Sequence, residues 1–399
     1  MESTHPIVLV SCGNRKLDAP APAKDLYVSK RFQEARKFAE NYGDSWFVVS
    51  AKHGLTAPGE VLTPYDVDLR TLSSHDRHEW AVNVLSKLSE YGLLERQFIV
   101  LAGEAYSNAI QGAFEKRHVL ATYPLRDLPE DKEVDILARV NGSPLRMIHY
   151  KRFYDLLLRL QNMSGQMIPF SKLGGKQMSK AGVYFFFDPH EYTRFYDHNG
   201  LRVVRIGTHG VSKGSKSLLW QRLRTHRGND DGTGSHRSSI FRLHVGNAIL
   251  ASQDRQMPSW GLGDNASKET RDSEQQLEME VSQYLKELLV AYLPVVDAAS
   301  ADSDRSYIER NAIALLSGGG AIDVQSMQWL GNFSPTRQIK SSGLWNVNYV
   351  GEGYDADFLA VFEALIECYE QGRLSDKSIA PPNWRSNLQR GAVGQQELF

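Results

Sequence analysis

Three short runs constrain this chain more than any other feature: residues 7–11 (IVLVS), 46–50 (WFVVS) and 98–102 (FIVLA). Each is apolar at consecutive positions, so a strand built from it must be buried on both faces. Between them, residues 27–41, 74–91 and 104–116 carry apolar side chains at helical spacing. That alternation predicts an α/β domain with a mainly parallel sheet. Residues 120–124 and a helical stretch near 144–161 are expected to close it.

The pattern then changes. Residues 162–180 are rich in Gly, Ser and Lys with no sustained period, which predicts a linker between a domain over 1–161 and another over 181–372. Residues 182–187 (GVYFFF) and 202–207 (RVVRIG) read as a hairpin with its turn near His198, Asn199 and Gly200. A helix over 216–226, a strand over 240–245 and helices over 272–290 and 304–317 follow, which is α+β order. The polar, Gly-rich stretches within 227–272 predict surface loop, residues 343–349 a further strand or an exposed edge with its aromatics in the core, and 373–399 a polar tail.

Composition bounds the function. With 41% hydrophobic and 23% charged residues the chain is an ordinary globular one, and 399 residues suit two domains. A net charge of −1 gives no global attraction to phosphate, so a nucleic-acid binder of this balance must gather its basic residues locally. Two cysteines far apart, Cys12 and Cys368, exclude a disulfide framework and point to a reducing compartment. No signal peptide and no apolar run of membrane-spanning length is seen, so the expectation is a cytoplasmic protein without membrane partners.

The second half holds an ordered set of chemistry-bearing residues. Gly182-Val183-Tyr184 opens one strand and Arg205-Ile206-Gly207 ends the next. Arg222 and His226 stand four apart on the following helix, hence on one face, and Glu309 lies in a later helix. Lys213, Lys216, Arg224, Arg227 and Arg237 supply a local basic patch for DNA phosphates, though half of such residues ordinarily only solvate a surface.

Over roughly residues 179–350 this order resembles the GIY-YIG endonucleases. The resemblance implies a hydrolase that cleaves DNA phosphodiester bonds with Mg²⁺ or Mn²⁺, and Glu309 as the metal ligand. One carboxylate suffices, because Mg²⁺ keeps most of its waters and is often held by one or two carboxylates. A bound metal acidifies water and neutralises charge on the phosphate. Arg222 offers a planar cationic fork to phosphate oxygens, and Tyr184 can take the proton of the attacking water. Arg205 departs from the family, standing where its second tyrosine is expected; a guanidinium cannot act as base at neutral pH, so it is expected to clamp phosphate. His209 and His226 are candidates to assist proton transfer.

In an open α/β sheet, ligands bind beyond the carboxyl ends of the strands. Those ends supply Cys12, Gly13, Asn14 and Lys16, then Ser50, Lys52, His53 and Gly54, then Gly103, Glu104 and Tyr106, with Asp66 on a Pro-marked loop nearby. Cys12 could be a nucleophile, although a small buried cysteine is the commoner fate. The segments 11–18, 25–27 and 50–55 resemble an uncharacterised bacterial domain family with distant similarity to domains of archaeal tRNA-guanine transglycosylase-type enzymes. That resemblance implies a pocket for a modified base extruded from DNA, with Asp66 or Glu104 assisting excision if the domain is a DNA glycosylase. The combined expectation is a nuclease guided by a base-recognition module, in restriction or antiviral defence. Two rivals stand beside it: a glycosylase as main activity with the nuclease acting on the abasic site, and a non-catalytic nucleic-acid-binding regulator. A homodimer is expected if one site must make a double-strand break.

Overall fold

A computed structural model describes residues 6–163, 167–175, 178, 180–196 and 200–386. The chain divides into two compact units, residues 1–147 with 193–200, and residues 148–192 with 201–399.

The first unit contains a five-stranded sheet of β1 (Ile7–Ser11), β2 (Ser45–Ser50), β3 (Gly54–Thr56), β4 (Phe98–Leu101) and β5 (Ala121–Thr122), in the order β3-β2-β1-β4-β5. Every neighbouring pair is parallel except the β2–β3 hairpin. Helices α1 (Lys30–Tyr42), α2 (Ser74–Glu90), α3 (Glu104–Glu115) and α4 (Glu130–Asn141) belong to the same unit. Ser29 and Ser73 start α1 and α2 by accepting the backbone N–H of Phe32 and Asp76, as capping residues do. Ile7, Leu9, Val49, Phe98 and Val100 pack with Trp80 and Val84 of α2 and Ile110 and Phe114 of α3. The alternate residues Val8, Val10, Ile99 and Leu101 are also fully buried. Two covered faces explain why these strands show no polar alternation.

The second unit is built on β6 (Ile168–Pro169), β7 (Gly182–Tyr192), β8 (Leu201–Gly207) and β9 (Leu289–Pro294), antiparallel throughout in the order β8-β7-β9-β6. Its helices include α5 (Pro144–Asn162), which begins in the first unit, then α6 (Leu219–Arg227), α7 (Ile240–Ser252), α8 (Lys268–Glu287), α9 (Asp304–Ser317) and α10 (Phe358–Glu370). One face of the sheet, Tyr184, Phe186 and Val204, packs against Leu219, Leu223, Phe241, Val281, Trp329 and Trp345. Phe185 points the other way, its ring 6.1 Å from Phe153 of α5 and 5.6 Å from Phe362 of α10.

Several sequence expectations are corrected here. Residues 240–245 are not a strand but the start of α7, because Phe241, Val245, Ala248 and Ile249 recur at helical spacing and Ser239 caps the first turn. The helix expected over 272–290 ends at Glu287, and the next apolar run is β9, the central partner of β7. Part of the 162–180 segment is built into the unit: β6 pairs with β9 and Phe170 is fully buried. Residues 343–349 form no strand. Instead the Trp345 N–H donates to the Val204 carbonyl at 2.7 Å, and the Asn346 side chain bonds both backbone groups of Ile206. An amide side chain thus completes the edge of β8. Within 373–399, Trp384 is buried rather than trailing in solvent. His198 and Asn199 of the expected turn, and residues 387–399, lie outside the described residues.

Candidate active site

The site of the second unit starts from the register of β7 and β8, in which Gly207 stands opposite Tyr184. The Tyr184 ring lies across that glycine so closely that a Cβ at 207 would collide with its hydroxyl. A Cβ at Gly182 would likewise meet the Leu293 carbonyl of β9. Both motif glycines are therefore required by close approach of neighbouring groups.

The buried Tyr184 hydroxyl lies 3.1 Å from His226 Nε2, and His226 Nδ1 lies 2.7 Å from Ser239 Oγ. Burial, with Arg205, Arg222 and Arg242 nearby, pushes the His226 pKa well down, so the ring is neutral. A neutral imidazole has one donor and one acceptor nitrogen, so these two partners fix its orientation. Arg205 is buried as well. Its Nη1 donates to the Trp345 carbonyl at 2.5 Å, its guanidinium sits 4.6 Å over the Phe241 ring, and its charge lies within electrostatic reach of Tyr184. Its Nε has no hydrogen-bond partner among the described residues.

Glu309, half-buried on α9, completes the group. Burial pushes its carboxyl up to about 7, against the pull of Arg205, the Thr208 backbone N–H, Arg222 and Arg385. His209, with Nε2 3.2 Å from the Lys180 carbonyl, is held down at about 4 by burial and by Arg305. The structure therefore brings Tyr184, Arg205, Arg222, His226 and Glu309 into one electrostatic neighbourhood. Lys213, Lys216 and Arg224 are exposed. Arg227 is partly committed to the fold, with Nη1 bonded to the Leu173 carbonyl at 2.7 Å and the guanidinium 5.1 Å from the Trp220 ring. Arg237 belongs to the interior, paired with Glu274. Ser239, Phe241, Thr208 and Arg385 are site neighbours that the sequence reading missed.

The first unit holds a cavity of about 580 Å³ lined by Cys12, Lys16, Asp66, Glu104 and Tyr106. It lies at the ends of β1 and β4, where the strand order reverses. Ser50, Lys52 and His53, expected in the same pocket, are not among the residues that line this cavity. The end of β2 turns straight into β3, with Ser50 opposite Gly54, and the Ser50 hydroxyl is taken by Tyr65 at 2.6 Å and by the His53 N–H. Arg31, Arg70 and Arg77 instead complete the lining. Arg31 pairs with Glu133 and bonds Ser11, and Cys12 Sγ lies 3.1 Å from the Tyr106 hydroxyl.

Comparison with known proteins agrees with this two-part organisation. The model of the GIY-YIG domain matches residues 145–372, more than half of the chain, and the chain belongs to that family. GIY-YIG domains are nuclease domains that generally use divalent metal ions, and a nuclease domain implies a DNA substrate. Residues 7–139 match a family of unknown function (DUF6884). An uncharacterised protein of Bacillus subtilis (strain 168), YfjM, is 27% identical over 128 residues, covering 30% of this chain and 83% of that protein. No solved structure matches this chain, and similarity to archaeal transglycosylase-type enzymes is not shown. No helix among the described residues is long and apolar enough to cross a membrane.

Proposed function

We propose that the second unit is a metal-dependent DNA endonuclease in which Glu309 holds the metal, Arg205 and Arg222 engage phosphate, and Tyr184 with His226 handles the proton of the attacking water. The observation that carries this reading is the convergence of Tyr184, Arg205, Arg222, His226 and Glu309. Among the described residues no group of three or more His, Cys, Asp or Glu side chains could hold a metal. A single hard carboxylate suits Mg²⁺ or Mn²⁺, and the raised Glu309 pKa marks a place where a further cation would be favourable. A bound divalent ion would acidify water and offset charge on the phosphate.

The chain's own residues set the rest. Arg205 is anchored by the Trp345 carbonyl and faces the Tyr184 oxygen, so it orients the phenol as well as offering charge. His226 holds that oxygen from the other side, itself steadied by Ser239. Incubation of the full chain with supercoiled plasmid is expected to give nicked or linear product in Mg²⁺ and none in EDTA. Plasmid left intact in Mg²⁺ and in Mn²⁺, whether plain, base-modified or carrying abasic sites, would leave only the regulator reading.

For the first unit we propose recognition of a modified base on that DNA, in restriction or antiviral defence. A 580 Å³ cavity is of ligand size, and it combines carboxylates (Asp66, Glu104) with cations (Lys16, Arg77). Carboxylates accept hydrogen bonds from a base edge, while the cations suit its phosphate. Replacing Asp66 by Asn and Glu104 by Gln together is expected to lower the preference for modified over plain DNA by about tenfold or more. An unchanged cleavage ratio would dismiss this pocket as the reader. Alkali-labile sites in DNA treated with a Glu309 variant would assign base excision to the same cavity.

A further inference from the structure

Residues 376–386 follow the end of the GIY-YIG match at 372, yet they are built onto the helix that carries Glu309. The fastening is specific. Asp304, fully buried in the first turn of α9, accepts hydrogen bonds from Ser378 Oγ at 2.5 Å, Ile379 N at 2.9 Å and Ala380 N at 2.8 Å. Trp384 then buries its ring 5.1 Å from Tyr307, two residues before Glu309, and donates its indole N–H to the Asp302 carbonyl. A buried carboxylate saturated by hydrogen bonds and a buried indole are strong fixings for a polar terminal segment.

Arg385 is the residue these contacts present. Its Nε donates to the Ala301 carbonyl at 2.7 Å, its Nη2 to the Tyr349 hydroxyl at 3.3 Å, and its guanidinium lies 5.0 Å from the Trp384 ring. Two of its five N–H groups are thus used for positioning, and its charge reaches the Glu309 carboxylate. An arginine already held by stacking and hydrogen bonds loses less side-chain freedom when it binds. We propose that Arg385 contacts a phosphate of the DNA substrate beside the scissile bond, so that residues 376–386 are part of the nuclease site. This rests on the endonuclease reading of the second unit.

The test uses the full chain, with Arg385→Gln and Arg385→Lys. Affinity for a short duplex is measured in EDTA across a salt series, and cleavage is measured in Mg²⁺. Loss of one phosphate contact is expected to reduce the slope of log K against log[salt] by about 0.9 in the Gln variant. KM should rise by roughly tenfold while kcat stays within about threefold, the signature of a lost binding contact. The Lys variant should recover most of the slope but not all of the KM, because an ammonium cannot bind two oxygens in plane. Wild-type slope and KM in Arg385→Gln, from a protein that unfolds at the wild-type temperature, would overturn the proposal and leave the endonuclease reading standing. Failure of the wild type to cut DNA would fall on that reading instead.

Discussion

Glu309→Gln is expected to lower plasmid cleavage by at least about 10³-fold, because it removes the carboxylate proposed to hold the metal while keeping the side chain's shape. The wild-type pH profile carries the same information. With the Glu309 carboxyl pushed up to about 7, the protein is largely protonated there below neutrality and cannot ligate a cation. At limiting Mg²⁺, cleavage should therefore climb as pH rises through about 7, not level off near 5 as an ordinary glutamate would dictate.

Stability should move the opposite way in metal-free buffer. The folded-state pKa lies above the unfolded value near 4.5, so the unfolded chain gives up this proton first. Stability from this group falls as pH rises from about 4.5 to about 7. Glu309→Gln is thus expected to melt at or above the wild-type temperature at pH 8, with the difference vanishing below pH ~4.5. A Gln variant that cuts at the wild-type rate would remove Glu309 from the site altogether.

Tyr184→Phe is the second large effect, a loss of about 10²–10³-fold in kcat. The ring still fits against Gly207 and Phe186, so packing survives. What goes is the oxygen that lies 3.1 Å from His226 Nε2. Leaving the buried His226 Nε2 short of a partner should also lower stability by roughly 1–3 kcal/mol, measurable by denaturant titration. Single-turnover cleavage at a temperature where both proteins are folded separates the two consequences. An unaltered single-turnover rate would mean that water is activated without the phenol.

How much of this was legible in the sequence differs between the two units. The strands β1, β2 and β4 were visible because burial on both faces writes itself as uninterrupted apolar runs. The residues Tyr184, Arg222, His226 and Glu309 could be picked out because each is tied to a local element, a strand start or a helix face. Ser239 and Arg385 could not, since Ser239 meets His226 only through a tertiary contact and Arg385 is brought within electrostatic reach of Glu309 only by the fold. In the first unit the strand-end rule pointed to Cys12, Glu104 and Tyr106, which line the cavity, and equally to Ser50, Lys52 and His53, which are not in its lining. The rule presumes a crossover after each strand, and β2 turns back at once into a hairpin. Arg31 went unseen because it lies in the first turn of α1, where arginine ordinarily reads as a solvated residue.

The pairing of Trp345 and Asn346 with β8 has a consequence for behaviour in solution. An exposed strand edge is an invitation to a second chain, which can add its own strand and start a polymer. Here the side of the sheet next to the Tyr184 strand is closed by one backbone N–H and one side-chain amide, neither of which continues the β ladder outward. The opposite margin, β6, is two residues long and contains a proline, which has no N–H to donate. A four-stranded sheet with both margins blunted can carry a tightly packed aromatic site without recruiting copies of itself into aggregates.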